Sequence, residues 1–192
     1  MLFRSLLPTL LAEGTLRASA YPRRGVYARR RKLGLASYLH FSLTPMTPLL
    51  ADKRAHGYPH VLLAFRPELA QLPGTGFCRY NQKAWRHRED FALITDATEK
   101  ASFLEQYQQG RYPSAELLVP HTVSLDYAMG LFLASQAEAD WLARFSLPTP
   151  PTTVAPETFP PAPEIDFTVL LDYAAVCVAT GTILPPPDLP FD

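Results

Sequence analysis

The sequence predicts an α+β protein assembled from short strands and short helices. Apolar runs of strand length, such as HVLLAF at residues 60–65, occur in the same chain as segments with helical spacing, such as residues 97–109. The chain has 192 residues, of which 47% are hydrophobic, and this is enough to bury one core. We therefore expect one folded domain over residues 1–146. A proline-rich connector with no capacity to pack by itself (147–163) and a C-terminal appendage (164–192) are expected to follow.

The elements before residue 70 are predicted from caps and apolar runs. A helix over residues 5–14 is indicated by a possible cap at Ser5, a proline in the first turn and a glycine at the exit. Residues 38–43 and 60–65 are predicted strands, and the second is fully apolar, which favours a central position. Thr47 and Pro48 indicate the start of a helix over residues 47–55.

The second half of the chain is predicted in the same way. Residues 91–94 are expected to be a short strand, and residues 97–109 an amphipathic helix that ends at Gly110. Glu116 should begin a strand that Pro120 ends, with residues 130–133 as its pairing partner. Ser135 and Glu138 have the spacing of a capping box, which predicts a helix from there to residue 145.

Charge is distributed unevenly along the chain, although the total is zero. Residues 1–60 carry ten Lys and Arg against two acids, a net charge of +8, residues 61–90 add +2, and residues 91–192 carry −10. A polyanion would bind to the first ninety residues. A solvated basic face that only neutralises the acidic half is the alternative.

Two irregular segments combine cations with aromatic residues. Residues 17–32 contain six arginines, one lysine and two tyrosines without an acid, and residues 74–88 again alternate cations with aromatic side chains. Guanidinium groups beside tyrosine rings suit phosphates and stacked bases. A plain solvated loop is an equally good interpretation of residues 17–32.

Composition excludes several classes of protein. No stretch approaches the length of a membrane span, and Glu13 and Gly14 follow the first apolar residues too closely for a signal peptide. The two cysteines lie far apart without a CxxC pattern, so a cytoplasmic location is expected. His56 and His60 are separated by glycine and proline, and no metal site is predicted.

Glu116 is the candidate catalytic acid, because a carboxylate at the start of an apolar strand either turns to solvent or is held where its charge is used. No GxSxG nucleophile motif and no pair of glycosidase carboxylates is evident. One carboxylate is sufficient when the leaving group is good. Cleavage of the N-glycosidic bond to nicotinamide is such a reaction, since its transition state is an oxocarbenium ion.

Four segments resemble the DarT family of NAD-dependent DNA ADP-ribosyltransferase toxins. SAELLVPHTVSLDYAMGLFL, from residue 114, resembles the segment that holds the catalytic glutamate of that family. DFALITDATEKASFLEQY, from residue 90, resembles its threonine–aspartate step and helix. HFSLTPMTPLL, from residue 40, is similar to its strand and proline-bounded turn, and LLPTLLAEGTL, from residue 6, to its first helix. The segments occur in the expected order and extend over residues 6–133.

The resemblance implies an ADP-ribosyltransferase-like split β-sandwich with flanking helices. It also implies NAD as the substrate without a metal, transfer of ADP-ribose to a base of single-stranded DNA, and a macrodomain antitoxin that removes the mark. Glu116 matches the catalytic glutamate. The residues expected to line NAD are Phe41, Ser42, Thr44, Arg24 and Tyr27. Those expected to hold DNA are Arg79, Tyr80, Asn81, Lys83 and Arg86.

Two positions depart from the family pattern. Met46 stands where the best known branch has an arginine, and the upstream histidine of the family would fall near Phe3. Met46 carries no charge, so its role in catalysis would be to pack against nicotinamide or to shape the pocket. The departure favours the guanine-modifying branch over the thymidine-modifying one. His40 could supply a substitute hydrogen-bond donor, or it could be a structural histidine.

Two other functions remain open at this point. The departures could mark a degenerate member that binds a nucleic acid or a nucleotide without turnover. The same chemistry could also act on RNA or protein.

Overall fold

The computed structural model describes residues 2–3, 7–18, 30–31, 33–44, 60–81 and 91–159. These residues form two compact units. The first unit contains residues 2–3, 7–16, 60–66 and 124–159, and the second contains residues 17–18, 30–31, 33–44, 67–81 and 91–123. The predicted helix at residues 47–55 and the appendage at residues 164–192 lie outside the described residues.

The secondary structure confirms the α+β class. In chain order the strands are β1 (Leu2–Phe3), β2 (Thr15–Arg17), β3 (Tyr38–Ser42), β4 (His60–Phe65), β5 (Gly76–Cys78), β6 (Glu116–Pro120), β7 (Thr122–Ser124), β8 (Ala128–Leu133) and β9 (Thr152–Val154). The helices are α1 (Leu7–Glu13), α2 (Ala97–Gln108) and α3 (Gln136–Ala143). Short 3₁₀ helices span Pro67–Gln71, Leu125–Tyr127 and Pro156–Thr158. In the part of the chain that the structure describes, no helix has the length and apolar character needed to cross a membrane.

A four-stranded sheet in the order β1-β4-β8-β9 organises the first unit. β4 pairs antiparallel with both β1 and β8, which confirms its predicted central position, and β9 adds to β8 in parallel. The helices α1 and α3 pack on this sheet through one buried cluster: Leu7, Leu11, Val61, Leu131, Leu133, Trp141 and Leu142. Burial of each such side chain contributes about 1.5–3 kcal/mol, so this cluster is the main source of stability in the unit.

A three-stranded antiparallel sheet in the order β3-β6-β5 organises the second unit. The helix α2 packs on one face of it, where the Phe103 ring stacks 4.9 Å from the Phe77 ring. Asp96 caps α2 by accepting hydrogen bonds from the backbone N–H groups of Thr98 and Glu99 at 2.9 and 3.0 Å. Gly110, at φ 85°, ends the helix where the sequence predicts. Leu35, Cys78 and Leu118 form a buried cluster with partly buried neighbours.

The predicted pairing of the Glu116 strand with residues 130–133 is wrong. β6 pairs with β3 and β5, whereas residues 130–133 belong to β8, which pairs with β4. The cause lies directly after Pro120, where His121 adopts a φ of 59° and donates its N–H to the Ser37 carbonyl at 2.6 Å. This conformation turns the chain out of the sheet before β8 begins.

β5 lies within residues 74–88, which the sequence predicts to be irregular. A Cβ at Gly76 would lie 2.6 Å from Leu93 Cγ and 2.8 Å from the Ile94 carbonyl oxygen. Glycine therefore serves here to let residues 93–94 approach a strand closely. The strand predicted at residues 91–94 is reduced to an isolated bridge between Ile94 and Phe77.

The proline-rich segment contributes a strand that its composition did not predict. β9 extends the sheet of the first unit, with Leu131 N–H donating to the Pro151 carbonyl and Ala155 N–H to the Leu133 carbonyl, both at 2.9 Å. The strand itself consists of the β-branched residues TTV, and Pro151 directly before it contributes only its carbonyl, since proline has no N–H to donate. The domain boundaries at residues 146 and 163 stay predictions.

Candidate active site

Glu116 begins the central strand of the second unit, between the last residues of the two neighbouring strands. It pairs across the sheet with Ser42 of β3 and with Cys78 of β5. The residue is only 8% exposed. Since an ionised carboxylate is unstable away from water without a compensating group, the surroundings of Glu116 decide what its charge can do.

A tight turn brings the chain from α2 to Glu116. Tyr112 has a φ of 57°, in the left-handed region that non-glycine residues adopt infrequently, and its carbonyl accepts a hydrogen bond from Ala115 N–H at 2.9 Å. Backbone conformations of this kind concentrate at functional sites. Here the left-handed residue lies in the turn that leads directly into Glu116 and β6.

His40 holds one oxygen of the Glu116 carboxylate. Its Nδ1 lies 2.8 Å from Oε2 of Glu116, and the two side chains are 5% and 11% exposed. His40 is two residues before Ser42 on β3, so strand alternation puts both residues on the face that carries Glu116. An ionised carboxylate only accepts hydrogen bonds, which requires the Nδ1 proton to be on His40.

Arg30 brings a positive charge to the same face of the sheet. Its carbonyl accepts a hydrogen bond from Leu35 N–H at 2.8 Å, and Leu35 packs with Cys78 and Leu118. Burial lowers the pKa of the Arg30 guanidinium from its ordinary value, and the negative charge of the Glu116 carboxylate opposes that shift. An arginine stays protonated at neutral pH, so a cation interacts electrostatically with the candidate catalytic acid.

Cys78 lies opposite Glu116 and is not a nucleophile. Its Sγ donates a weak hydrogen bond to the Phe91 carbonyl at 3.6 Å. Burial, followed by the negative charge of Glu116, raises the pKa of the thiol to about 12, while Arg79 acts in the opposite direction. The thiol is therefore protonated and unreactive at neutral pH.

The residues predicted to line NAD divide into four groups. Ser42 lies directly beside Glu116, while Phe41 pairs with Leu117 and so belongs to the opposite face of the sheet. Thr44 is exposed, two residues after the end of β3. The remaining members, Arg24 and Tyr27, lie outside the described residues, as does Met46 from the predicted catalytic set.

Three of the residues predicted to hold DNA follow β5 directly. Tyr80 contacts Tyr112 edge-to-face at a ring separation of 5.7 Å, and the Arg79 guanidinium lies 5.9 Å from the centre of the Tyr112 ring. Arg79, Tyr80 and Asn81 are all partly buried. Lys83 and Arg86 are outside the described residues.

Two residues of the site were not predicted. Arg30 lies among three consecutive arginines, so composition could not distinguish it from its neighbours. Tyr112 carried no signal, because nothing in the local sequence indicates a left-handed tyrosine. Within residues 2–3, 7–18, 30–31, 33–44, 60–81 and 91–159, no three His, Cys, Asp or Glu side chains are grouped so that they could hold a metal ion.

No family model matches the sequence, and neither does any curated protein. Among solved structures, the chain is similar to Thermus sp. 2.9 DarT in complex with carba-NAD+, at 13% identity and a TM-score of 0.59, over 83% of this chain and 95% of that one. Thermus sp. 2.9 DarT in complex with ADP-ribosylated ssDNA matches at 14% identity and a TM-score of 0.61, over 83% and 93%.

A third structure comes from another organism. Thermosipho africanus DarTG in complex with ADP-ribose matches at 15% identity and a TM-score of 0.59, over 86% of this chain and 52% of that one. The TM-scores of 0.59 to 0.61, and not the low sequence identity, establish a shared fold. The chain therefore has the α+β fold of the DarT ADP-ribosyltransferases, as the resemblance implied.

Proposed function

We propose that this protein is an NAD-dependent mono-ADP-ribosyltransferase that modifies a base of single-stranded DNA. The observation that carries the proposal is the Glu116 carboxylate, buried at the start of a central strand and hydrogen-bonded by His40 at 2.8 Å. Its support from comparison is the fold shared with DarT structures in complex with carba-NAD+ and with ADP-ribosylated ssDNA.

In the proposed reaction the bond between C1′ of the ribose and the nicotinamide nitrogen breaks. The electron pair leaves with nicotinamide, which becomes neutral, and the positive charge that develops on the ribose is stabilised by Glu116. A new bond then forms from C1′ to a nitrogen of the acceptor base. The proton lost by that nitrogen passes to Glu116 as general base and from there to solvent.

His40 acts in this scheme as a positioning residue. By binding Oε2 it fixes the plane of the carboxylate, and so the direction of Oε1 toward the ribose. Placement matters because a displacement of about 1 Å can lower a rate by about a hundredfold. Arg30 adds a positive charge near Glu116, which suits the pyrophosphate of NAD.

The identity of the acceptor and the biological role rest on the resemblance of the sequence. Met46, in place of the arginine of the best known branch, favours guanine as the modified base. The protein would then act in the cytoplasm as a toxin, and a macrodomain antitoxin would remove the modification.

The proposal is tested by incubating the protein with NAD and single-stranded oligonucleotides, each lacking one of the four bases, and measuring intact oligonucleotide masses. We expect one ADP-ribose added to every strand that contains guanine and none added to the strand without it. Strands modified without guanine would contradict the choice of base. Loss of the added mass after treatment with a macrodomain hydrolase would support the antitoxin pairing.

Two variants test the role of Glu116. Glu116→Gln should abolish ADP-ribose transfer, whereas Glu105→Gln, which replaces an exposed glutamate on α2, should not. Salt-dependent binding of single strands without NAD consumption would select the degenerate binding module instead. Mass added to RNA or protein but not to DNA would select another acceptor.

A further inference from the structure

A left-handed glycine ends the helical turn that carries Arg30. Residues 30 and 31 are helical, and Gly34 follows with a φ of 72°. The Gly34 N–H donates to the Arg31 carbonyl at 3.2 Å, and the Leu35 N–H donates to the Arg30 carbonyl at 2.8 Å. These two bonds around one left-handed residue form a Schellman motif, which ends an α-helix in a fixed geometry. We call residues 30–31 and 33–35 the Arg30 helix end.

Leu35 attaches the Arg30 helix end to the sheet of the second unit. Its side chain is 6% exposed and packs with Cys78 and Leu118. Cys78 pairs with Glu116 across β5 and β6, and directly paired residues of antiparallel strands share a face of the sheet. Leu35 therefore packs on the face that carries the candidate catalytic acid.

The backbone of Arg30 is therefore fixed before any ligand binds. Arg30 is partly buried and interacts electrostatically with Glu116, whereas Arg31 is exposed. An arginine on an unconstrained loop would lose backbone and side-chain freedom when it binds an anion. Arg30 loses less, because its backbone is already held, and preorganisation of this kind strengthens binding.

His40 reaches the same carboxylate on a different support. It lies on β3, all five residues of which pair with β6. This ladder holds His40 beside Glu116 through contacts that the Arg30 helix end does not make. A change in the helix end should therefore displace the guanidinium of Arg30 and leave the 2.8 Å contact between His40 and Glu116 in place.

We propose that Gly34 and Leu35 are positioning residues for NAD binding: the helix end that they form holds the Arg30 guanidinium near Glu116, where it receives the pyrophosphate of NAD. The inference rests on the proposed function, because it takes NAD as the ligand. A contact with the pyrophosphate is the same in the substrate and in the transition state, since the bond that breaks lies elsewhere. Its loss therefore raises KM for NAD and leaves kcat unchanged.

The test compares two left-handed glycines that end helical segments. Gly34 and Gly14 have φ values of 72° and 64°, and a Cβ at either position would meet no atom of the described residues within 4 Å. Alanine strains the backbone at both positions, so Gly34→Ala and Gly14→Ala should both fold and lower the melting temperature by about 2–4 °C. Only Gly34→Ala should raise KM for NAD, by about three- to tenfold, with kcat unchanged.

Further variants show whether the effect passes through the Arg30 guanidinium. Arg30→Gln should raise KM for NAD about 10–100-fold, the effect of losing a hydrogen bond to a charged group, whereas Arg31→Gln should not change it. When Arg30→Gln is already present, Gly34→Ala should raise KM no further. Gly34→Asn should keep the wild-type KM, because asparagine tolerates the left-handed conformation.

Equal KM values for Gly34→Ala and Gly14→Ala would overturn the inference, as would a further rise in KM when Gly34→Ala is added to Arg30→Gln. If the wild type releases no nicotinamide from NAD, the proposed function fails, and the same variants are compared by calorimetric binding of inorganic pyrophosphate. Weaker binding by Arg30→Gln and Gly34→Ala, but not by Arg31→Gln and Gly14→Ala, would then still support the helix end. No binding of pyrophosphate by the wild type would overturn it.

Discussion

Each of the two units buries a glutamate, and the two glutamates are held in different ways. Glu138 in the first unit is 3% exposed, and its Oε2 accepts from the Ala134 backbone N–H at 2.7 Å. Glu116 in the second unit is 8% exposed, and its Oε2 is bound by the side chain of His40, 76 residues away in sequence. Among the contacts of the described residues, the Glu138 carboxylate binds the nearby backbone, whereas the Glu116 carboxylate binds an ionisable side chain.

The difference separates a structural carboxylate from a candidate catalytic one. Glu138 completes the start of α3, where its own N–H also donates to Ser135 Oγ at 3.3 Å. Its negative charge is favourable there because it lies in the first turn of a helix. Glu116 has no helix to cap, and its charge instead faces a histidine and an arginine. Substitutions can show whether this contrast is functional.

The largest effect is expected from Glu116→Gln. Removal of the negative charge should lower kcat for ADP-ribose transfer by about 100–1000-fold, as for the loss of one preorganised electrostatic group. The melting temperature should change little, because the amide can still accept from His40. Glu138→Gln is the matched control and should keep full activity. Equal losses of kcat in both variants would show that the two glutamates do not differ in function.

The next effect is expected from His40→Phe. Without a donor for Oε2 the carboxylate is no longer oriented, so kcat should fall about 10–100-fold with little change in KM for NAD. His40→Asn should recover most of the rate, since its amide nitrogen can take the place of Nδ1. Unchanged kcat in the phenylalanine variant would show that His40 is only a packing residue.

Glu138→Ala should affect stability instead of activity. The partly buried Ala134 N–H loses its acceptor, which should lower the free energy of unfolding by about 1–3 kcal/mol. Chemical denaturation measures this value, and the transferase rate at a temperature where the variant is folded provides the comparison. A folded variant with a large loss of kcat would mean that Glu138 also serves catalysis.

The smallest effect is expected at Cys78, because the negative charge of Glu116 contributes to the raised pKa of its thiol. Its pKa is raised from 9.0 to about 12, so the unfolded chain loses this proton first and the stabilising contribution of Cys78 declines as pH rises from 9.0 toward 12. Glu116→Gln should lower the pKa of Cys78, whereas Glu138→Gln should not. The ultraviolet absorbance of the thiolate, followed against pH and compared with a Cys78→Ala control, measures this pKa; equal values in the two variants would contradict the assigned charge of Glu116.

The same contrast explains which parts of the protein could be predicted from sequence. The capping pair of Ser135 and Glu138, the end of α2 at Gly110 and the start of β6 at Glu116 depend on neighbouring residues, and all were predicted. The pairing of β6 depends on contacts far apart in sequence. Several apolar segments could have paired with β6, and because they share the same periodicity, the sequence could not show which of them does.

The candidate site was predicted in part for the same reason. Glu116 and His40 were identified as residues, but their 2.8 Å contact follows from the pairing of β3 with β6. Arg30 reaches the site through a turn fixed by Leu35, and Tyr112 through an uncommon backbone conformation. Neither feature has a signature in a single sequence.

The most direct test of the central claim is the release of nicotinamide from NAD by the wild-type protein, measured together with the ADP-ribose that appears on single-stranded DNA. We expect that nicotinamide release requires the strand and that one ADP-ribose is transferred per nicotinamide. A folded protein that releases no nicotinamide in the presence of guanine-containing single strands would contradict it.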